Sequence, residues 1–152
     1  MGKVVRASDG LFLSQTKYIH DLLHKFNFHN DKPAYTRLPS RTTLSLVDRD
    51  LLNDRSEYRN MVGALQYLTM ARPGISYAMN LVSQFMHAPH ATHLSVVQRI
   101  FCYLQVTAGY GLLHRRAKSL SPILTYSNAD RVGCCDSSLS TIRYVVLSLI
   151  HI

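Results

Sequence analysis

Between Tyr58 and Ala129 the sequence has no aspartate and no glutamate. Such a stretch offers no carboxylate pair for acid–base chemistry and none to hold a Mg²⁺ ion. Cysteine is scarce: Cys102, Cys134 and Cys135 make an odd count without metal-ligand spacing. Adjacent Cys134 and Cys135 cannot readily bridge each other. All three therefore read as reduced thiols of an intracellular chain, which excludes a disulfide scaffold and a zinc module. No apolar run reaches the roughly 18–20 residues of a membrane-spanning helix. The apolar tail from Tyr144 to Ile152 is too short and reads as a strand or an exposed end. No apolar leader stands at the N-terminus, so secretion is not indicated.

What remains is a basic chain of ordinary globular composition. At 152 residues it makes one domain or parts of two. Its apolar content of 47% suits a folding chain, which at this size buries roughly 70% of its extended surface. The formal charge is +8, from 17 Lys+Arg against 9 Asp+Glu, and it is unevenly laid out. All the carboxylates except Asp130 and Asp136 lie in residues 1–57. The acid-free stretch carries Arg59, Arg72, Arg99, Arg115, Arg116 and Lys118, with His87, His90, His93 and His114. Tyr58, Tyr67, Tyr77, Tyr103 and Tyr110 are interleaved with them. Such a face attracts polyanions, because neutralising phosphates releases counterions. The alternative is a solvated basic surface with no partner.

The pattern along the chain predicts an α+β fold. Residues 4–13 read as a hairpin about Asp9-Gly10. Ser14 reads as an N-cap for a helix from Gln15 to Phe26, with Ile19, Leu22, Leu23 and Phe26 on its apolar face. Residues 27–56 have no period and read as a long surface loop stiffened by Pro33 and Pro39. A loop of that length either wraps something or joins two units. Three helices follow. Ser56 and Glu57 open the first, lined by Met61, Leu65 and Leu68 and stopped by Pro73. Ile75, Ala78, Val82 and Phe85 line the second, which ends before Pro89. Thr92 caps the third, with Leu94, Val97, Phe101 and Leu104 on its buried side. Strands are predicted at Tyr110–His114, Pro122–Tyr126 and Tyr144–Leu149.

Few clusters suggest chemistry. His87, His90 and His93 are three apart, but Pro89 interrupts any shared helical face and no carboxylate is near to orient a ligand, so they read as surface or capping histidines. Nucleophile-elbow and phosphate-loop motifs are absent. Met61, Met70, Met79 and Met86 read as core filler. The sharpest local feature is Tyr126-Ser127-Asn128-Ala129-Asp130 near a strand end, where a two-metal nuclease would place a carboxylate. Asn128 brings no charge, and Asp130 and Asp136 read as loop-solvating residues.

At this point the residues match a family. The run EYRNMVGALQYLTMARPGISYAMNLVSQFMHAP, the spaced His93, and then RIFCYLQVTAGYGLL and YSNADRVGCCDSSLSTIRY resemble the Pol polyprotein of copia-type LTR retrotransposons. GLFLSQTKYIHDLLHKF resembles the same polyprotein just downstream of its polymerase palm. Short plant mitochondrial open reading frames of this type resemble the same stretch. The likeness runs from about residue 3 to residue 146, and its motifs are highly specific.

The resemblance implies the C-terminal part of reverse transcriptase running into the start of RNase H. The implied fold is an N-terminal hairpin and helix, a long loop, a three-helix thumb-like bundle and an incomplete RNase H-like sheet. Residues 1–56 would be the post-palm hairpin, helix and linker, 57–108 the bundle, and 109–152 the truncated start of RNase H. The family's polymerase turn, Tyr-x-Asp-Asp, is absent from this sequence. Its RNase H opening reads Tyr-Ser-Asp-Ala-Asp-Trp-Ala-Gly, with the first Asp a metal ligand. Here that position is Asn128, and the Trp is Arg131. The usual Arg-Pro-Asp is Arg72-Pro73-Gly74, and the usual Gly before Thr-Ala-Gly is Val106.

The expectation is therefore a Pol-derived piece without catalysis of its own and with no cofactor, whereas the intact family enzyme uses Mg²⁺. The expected partner is an RNA/DNA or DNA duplex held through its phosphates by Arg99, Arg115, Arg116 and Lys118. No membrane and no small-molecule substrate is expected. The expected location is intracellular, in the cytoplasm or nucleus, with an organelle as the alternative. A stand-alone helical interaction or assembly domain is the competing reading.

Overall fold

The computed structural model of the chain describes residues 2–39, 44, 51–52, 54–115, 124–129 and 142–147. The chain packs as two compact units, Met1–His114 and Arg115–Ile152. The α+β expectation holds: β1 (Lys3–Ala7), β2 (Gly10–Ser14) and α1 (Thr16–Lys25) come first, followed by the long connection. Then come α2 (Arg55–Leu68), a 3₁₀ turn (Pro73–Ile75), α3 (Ser76–Ser83) and α4 (Ala91–Val106). The strands β3 (Gly111–Arg115), β4 (Leu124–Ala129) and β5 (Ile142–Leu147) close the order.

In the first unit the hairpin pairs antiparallel from Lys3↔Ser14 to Ala7↔Gly10. The tight turn is therefore Ser8-Asp9, one residue earlier than the sequence suggests. Gly10 opens β2 at φ 153°, a conformation that side-chain-bearing residues rarely adopt. The strand expected at Tyr110–His114 forms as β3, and it lies beside β2 in the order β1-β2-β3. It does not join the following strands, since β4 and β5 make a separate antiparallel pair from Leu124↔Leu147 to Ala129↔Ile142. Gly111 permits the approach of β3 to β2. A Cβ there would run into the Leu13 carbonyl and the Phe12 ring.

The helices bury the faces their periods predict. Ile19, Leu22 and Leu23 of α1, Met61, Val62, Leu65 and Leu68 of α2, and Ala78, Met79 and Val82 of α3 meet Val96, Val97, Ile100, Phe101 and Leu104 of α4 in one core. Each large apolar side chain so buried contributes about 1.5–3 kcal/mol. Leu94 is only half-buried, and Met70 is exposed rather than core filler. The α4 stripe is instead completed by His93, which is wholly buried and stacks on Phe85 at 3.9 Å between ring centres.

The helix N-caps differ from the sequence reading by one or two residues. Ser14 ends β2, and Gln15 takes the N-cap place of α1. Asp54 caps α2, accepting from the Ser56 N–H at 2.7 Å. The α4 cap is His90 rather than Thr92, and its N–H donates to His93 Nδ1 at 3.1 Å. The C-terminus of α1 closes on Asn27 at φ 60°. There the Phe28 N–H donates to the Leu23 carbonyl and the Asn27 N–H to the His24 carbonyl, which gives these carbonyls of the last turn donors. This turn delivers Phe28 onto Phe101, with the rings stacked at 4.8 Å.

The long connection wraps α4. The Ala34 N–H reaches the Cys102 carbonyl and Gln105 Nε2 donates to the His29 carbonyl at 2.9 Å. Leu51 bridges His90, and the Leu52 N–H donates to the Pro89 carbonyl at 3.0 Å.

Candidate nucleic-acid interface

The basic residues of the acid-free stretch divide by what they touch. Arg72, at the mouth of the 3₁₀ turn, is buried beneath the C-terminus of α4. Its Nη1 donates to the Thr107 and Tyr110 carbonyls at 2.7 and 2.9 Å, and its Nη2 donates to Thr107 Oγ1 at 2.6 Å. A cation there satisfies the last carbonyls of a helix and complements its dipole. Burial draws this guanidinium below its ordinary range, although arginine stays charged. Arg59 Nε donates to the Met86 carbonyl at 2.9 Å, and Arg55 Nη1 donates to the His87 carbonyl at 3.1 Å, so both hold the exit of α3. These three cations are structural.

Of the four residues expected to meet phosphates, Arg99 and Arg115 are described, one in each unit. Arg99, on α4, is half-buried and donates from Nη2 to Thr36 Oγ1 at 2.8 Å. Arg115 ends β3, exposed, and opens the second unit. Arg116 and Lys118 lie outside the described residues, as do Asp130, Arg131, Asp136 and the Cys134-Cys135 pair. Asn128 sits on β4 opposite Arg143 of β5. Of the three histidines, His87 is exposed while His90 and His93 are buried. Among the described residues no three His, Cys, Asp or Glu side chains converge as a metal site. No described helix is long and apolar enough to cross a membrane.

Where the long connection passes over α4 it leaves a trough of about 720 Å³. Asp31, Lys32 and Tyr35 line one wall, and Ser95, Arg99 and Cys102 the other. A second hollow of about 370 Å³ adjoins it, sharing Tyr35 and Thr36 and adding Arg37, Tyr77 and Tyr103. The Arg37 guanidinium lies 5.5 Å from the centre of the Tyr103 ring and its Nε donates to the Tyr103 hydroxyl at 3.4 Å. Gly74 makes room for this arginine, since a Cβ there would stand 3.1 Å from its Nη2. Arg99 Nε faces no acceptor although it is shielded from water. Burial, and after it Asp31, pushes the Cys102 thiol up, away from the thiolate a nucleophile needs. The arrangement offers cations and flat rings, groups that can bind an anion and an aromatic ligand. Lys32, Tyr35 and Arg37 escape a search for periodic elements because they sit in the aperiodic connection. The run Lys32 to Arg37, with a ring between two cations, is the sequence signal for them.

Comparison with known proteins places the sequence beside retrotransposon polyproteins. The chain is 44% identical over 141 residues to the retrovirus-related Pol polyprotein from transposon RE1 of Arabidopsis thaliana, an alignment that takes in 93% of the chain. Over most of its length the chain is homologous to copia-type Pol polyproteins. The corresponding polyprotein of the tobacco transposon TNT 1-94 is 34% identical over 92% of the chain. An uncharacterised mitochondrial protein of Arabidopsis thaliana is 39% identical over 87% of it. The chain spans about 10% of the RE1 polyprotein and 54% of the mitochondrial protein. No protein-family model matches the chain, and no solved structure matches it significantly.

Proposed function

We propose that this Pol-related chain is a non-catalytic nucleic-acid-binding piece of the reverse transcriptase/RNase H region. The observation that carries the reading is the homology over 93% of the chain, to which the resemblance adds Asn128 where the family's RNase H opening has its metal-binding Asp. A neutral amide brings no charge to a Mg²⁺ ion, and the acid-free stretch supplies no substitute. In this reading the α-helical unit is thumb-like and the strands after it are the start of an RNase H sheet. The chain needs no cofactor of its own, takes no small-molecule substrate and acts inside the cell, in the cytoplasm, nucleus or an organelle. Its contribution is electrostatic: Arg99, Arg115, Arg116 and Lys118 add to a field that attracts a phosphate backbone.

The test is a pair of assays on the purified chain. Neither cleavage of an RNA/DNA hybrid nor primer extension is expected with Mg²⁺ present, and either activity would overturn the reading. Salt-sensitive retention of a labelled nucleic acid is expected. Assembly is the second reading, favoured by Val4, Val5 and Leu11, which are exposed on the hairpin. It requires concentration-dependent oligomers in sedimentation, and a strict monomer removes it.

A further inference from the structure

We infer that the paired trough beneath the long connection holds a single strand of nucleic acid, with bases against Tyr35 and Tyr77 and phosphates toward Lys32, Arg37 and Arg99. This rests on the nucleic-acid reading above and gives it a place and a form.

Three observations converge. Tyr35 and Tyr77 both line the smaller hollow, yet they are 78% and 73% exposed, so folding leaves two broad aromatic side chains open to water on one hollow. Every base has a face that can stack on such rings, whatever its identity. Next, the hollow and the larger trough share Tyr35 and Thr36, so the path continues beyond the space of one base. Among the described residues that line it, three cations stand against one carboxylate, Asp31. Last, Arg99 lines the trough and is oriented there by its Nη2 bond to Thr36 Oγ1. A guanidinium held in that way is prepared for an oxygen-rich anion, which phosphate supplies in a geometry arginine matches. A duplex fits less well. Its bases are stacked on one another, so it would offer phosphates to the cations and leave the tyrosine faces empty. An acidic peptide would likewise use the cations without needing the rings.

The experiment measures fluorescence anisotropy of a labelled oligothymidylate of about 12 nucleotides, within the roughly 4–16 nucleotides that strand-binding grooves cover. The full chain is used, with a hairpin duplex and thymidine monophosphate as separate competitors. The strand is expected to bind more tightly than the duplex, and the monophosphate to compete weakly. Tyr35→Ala and Tyr77→Ala should each weaken strand binding about tenfold, within the range measured for loss of one base–aromatic stack. Tyr77→Phe should stay within about twofold, because the ring and not the hydroxyl carries the stack. Asp31→Asn should tighten binding. Both tyrosines are exposed, so their variants are expected to keep the parent's circular-dichroism melt.

The outcomes separate the two claims. Salt-sensitive binding that ignores both tyrosines would overturn the strand groove while leaving the nucleic-acid reading intact. Monophosphate competing as well as the strand would also overturn it, by reducing the trough to a one-nucleotide hollow. Failure to bind strand or duplex at low salt would end both readings.

Discussion

Tyr58 is the largest side chain that the first unit removes wholly from water, and its hydroxyl donates to the Val82 carbonyl at 2.7 Å. Burial pushes this phenol far above its ordinary range. The fold therefore requires the neutral form, whereas the unfolded chain titrates it near pH ~10. The stability it contributes is complete below that pH and is lost as pH rises above it, by up to about 1.4 kcal/mol per pH unit. Tyr58→Phe should cost about 1 kcal/mol at neutral pH, since the Val82 carbonyl keeps backbone donors. Above pH ~10 the variant should lose less stability per unit than the parent, as urea melts at stepped pH would show. Arg72 gives a sharper test of a cation used for structure. Arg72→Ala leaves the Thr107 and Tyr110 carbonyls short of donors and should cost about 3 kcal/mol or more. Arg72→Lys should recover only part of it, because one ammonium nitrogen cannot also serve Thr107 Oγ1, which the second nitrogen of the fork reaches. Full recovery by lysine in a thermal melt would mean that charge alone matters there.

At the scale of elements, the legible parts of the fold are those with a period. Ile75, Ala78, Val82 and Phe85 repeat at helical spacing, and all four are buried. Caps were harder to read. Asp54 and Ser56 both suit an N-cap, and which one serves depends on where the chain enters the bundle. His93 shows why type alone misleads. An imidazole reads as a surface group, but here stacking on Phe85 and accepting from the His90 N–H satisfy it inside the core. The place of β3 was not legible because its partner, β2, lies far back in the chain and pairing across such a distance leaves no local pattern. The trace it does leave is Gly111. Gly111→Ala should push β3 away from the Leu13 carbonyl and the Phe12 ring and cost about 1–3 kcal/mol, the range for forcing extra volume into a packed place. The neighbouring Gly109→Ala meets nothing within 4 Å and serves as the control in the same melts. Equal losses at both positions would show that backbone freedom, rather than the approach of the strands, is at stake.

For the whole molecule, the formal charge of +8 overstates what a polyanion can meet. Composition cannot tell a cation that faces solvent from one that satisfies a carbonyl. Arg55, Arg59 and Arg72 each bond backbone oxygens around the bundle, so a reading by charge density alone would credit them wrongly. The make-up of the trough, cations beside tyrosines, was therefore legible in kind, but among the described residues only Arg99 of those expected lines it. The residues beside it come from the connection, which acquires its role by wrapping α4. The salt dependence of binding measures this distinction. If Lys32, Arg37 and Arg99 are the groups that neutralise phosphates, log K should fall with log salt at a slope of about −2, as three contacts on a single strand give. Arg99→Gln should make that slope shallower by about 0.7, while Arg59→Gln, which loses a bond to the Met86 carbonyl, should leave it unchanged. A slope of about −5 or steeper would mean that cations outside the trough carry most of the attraction.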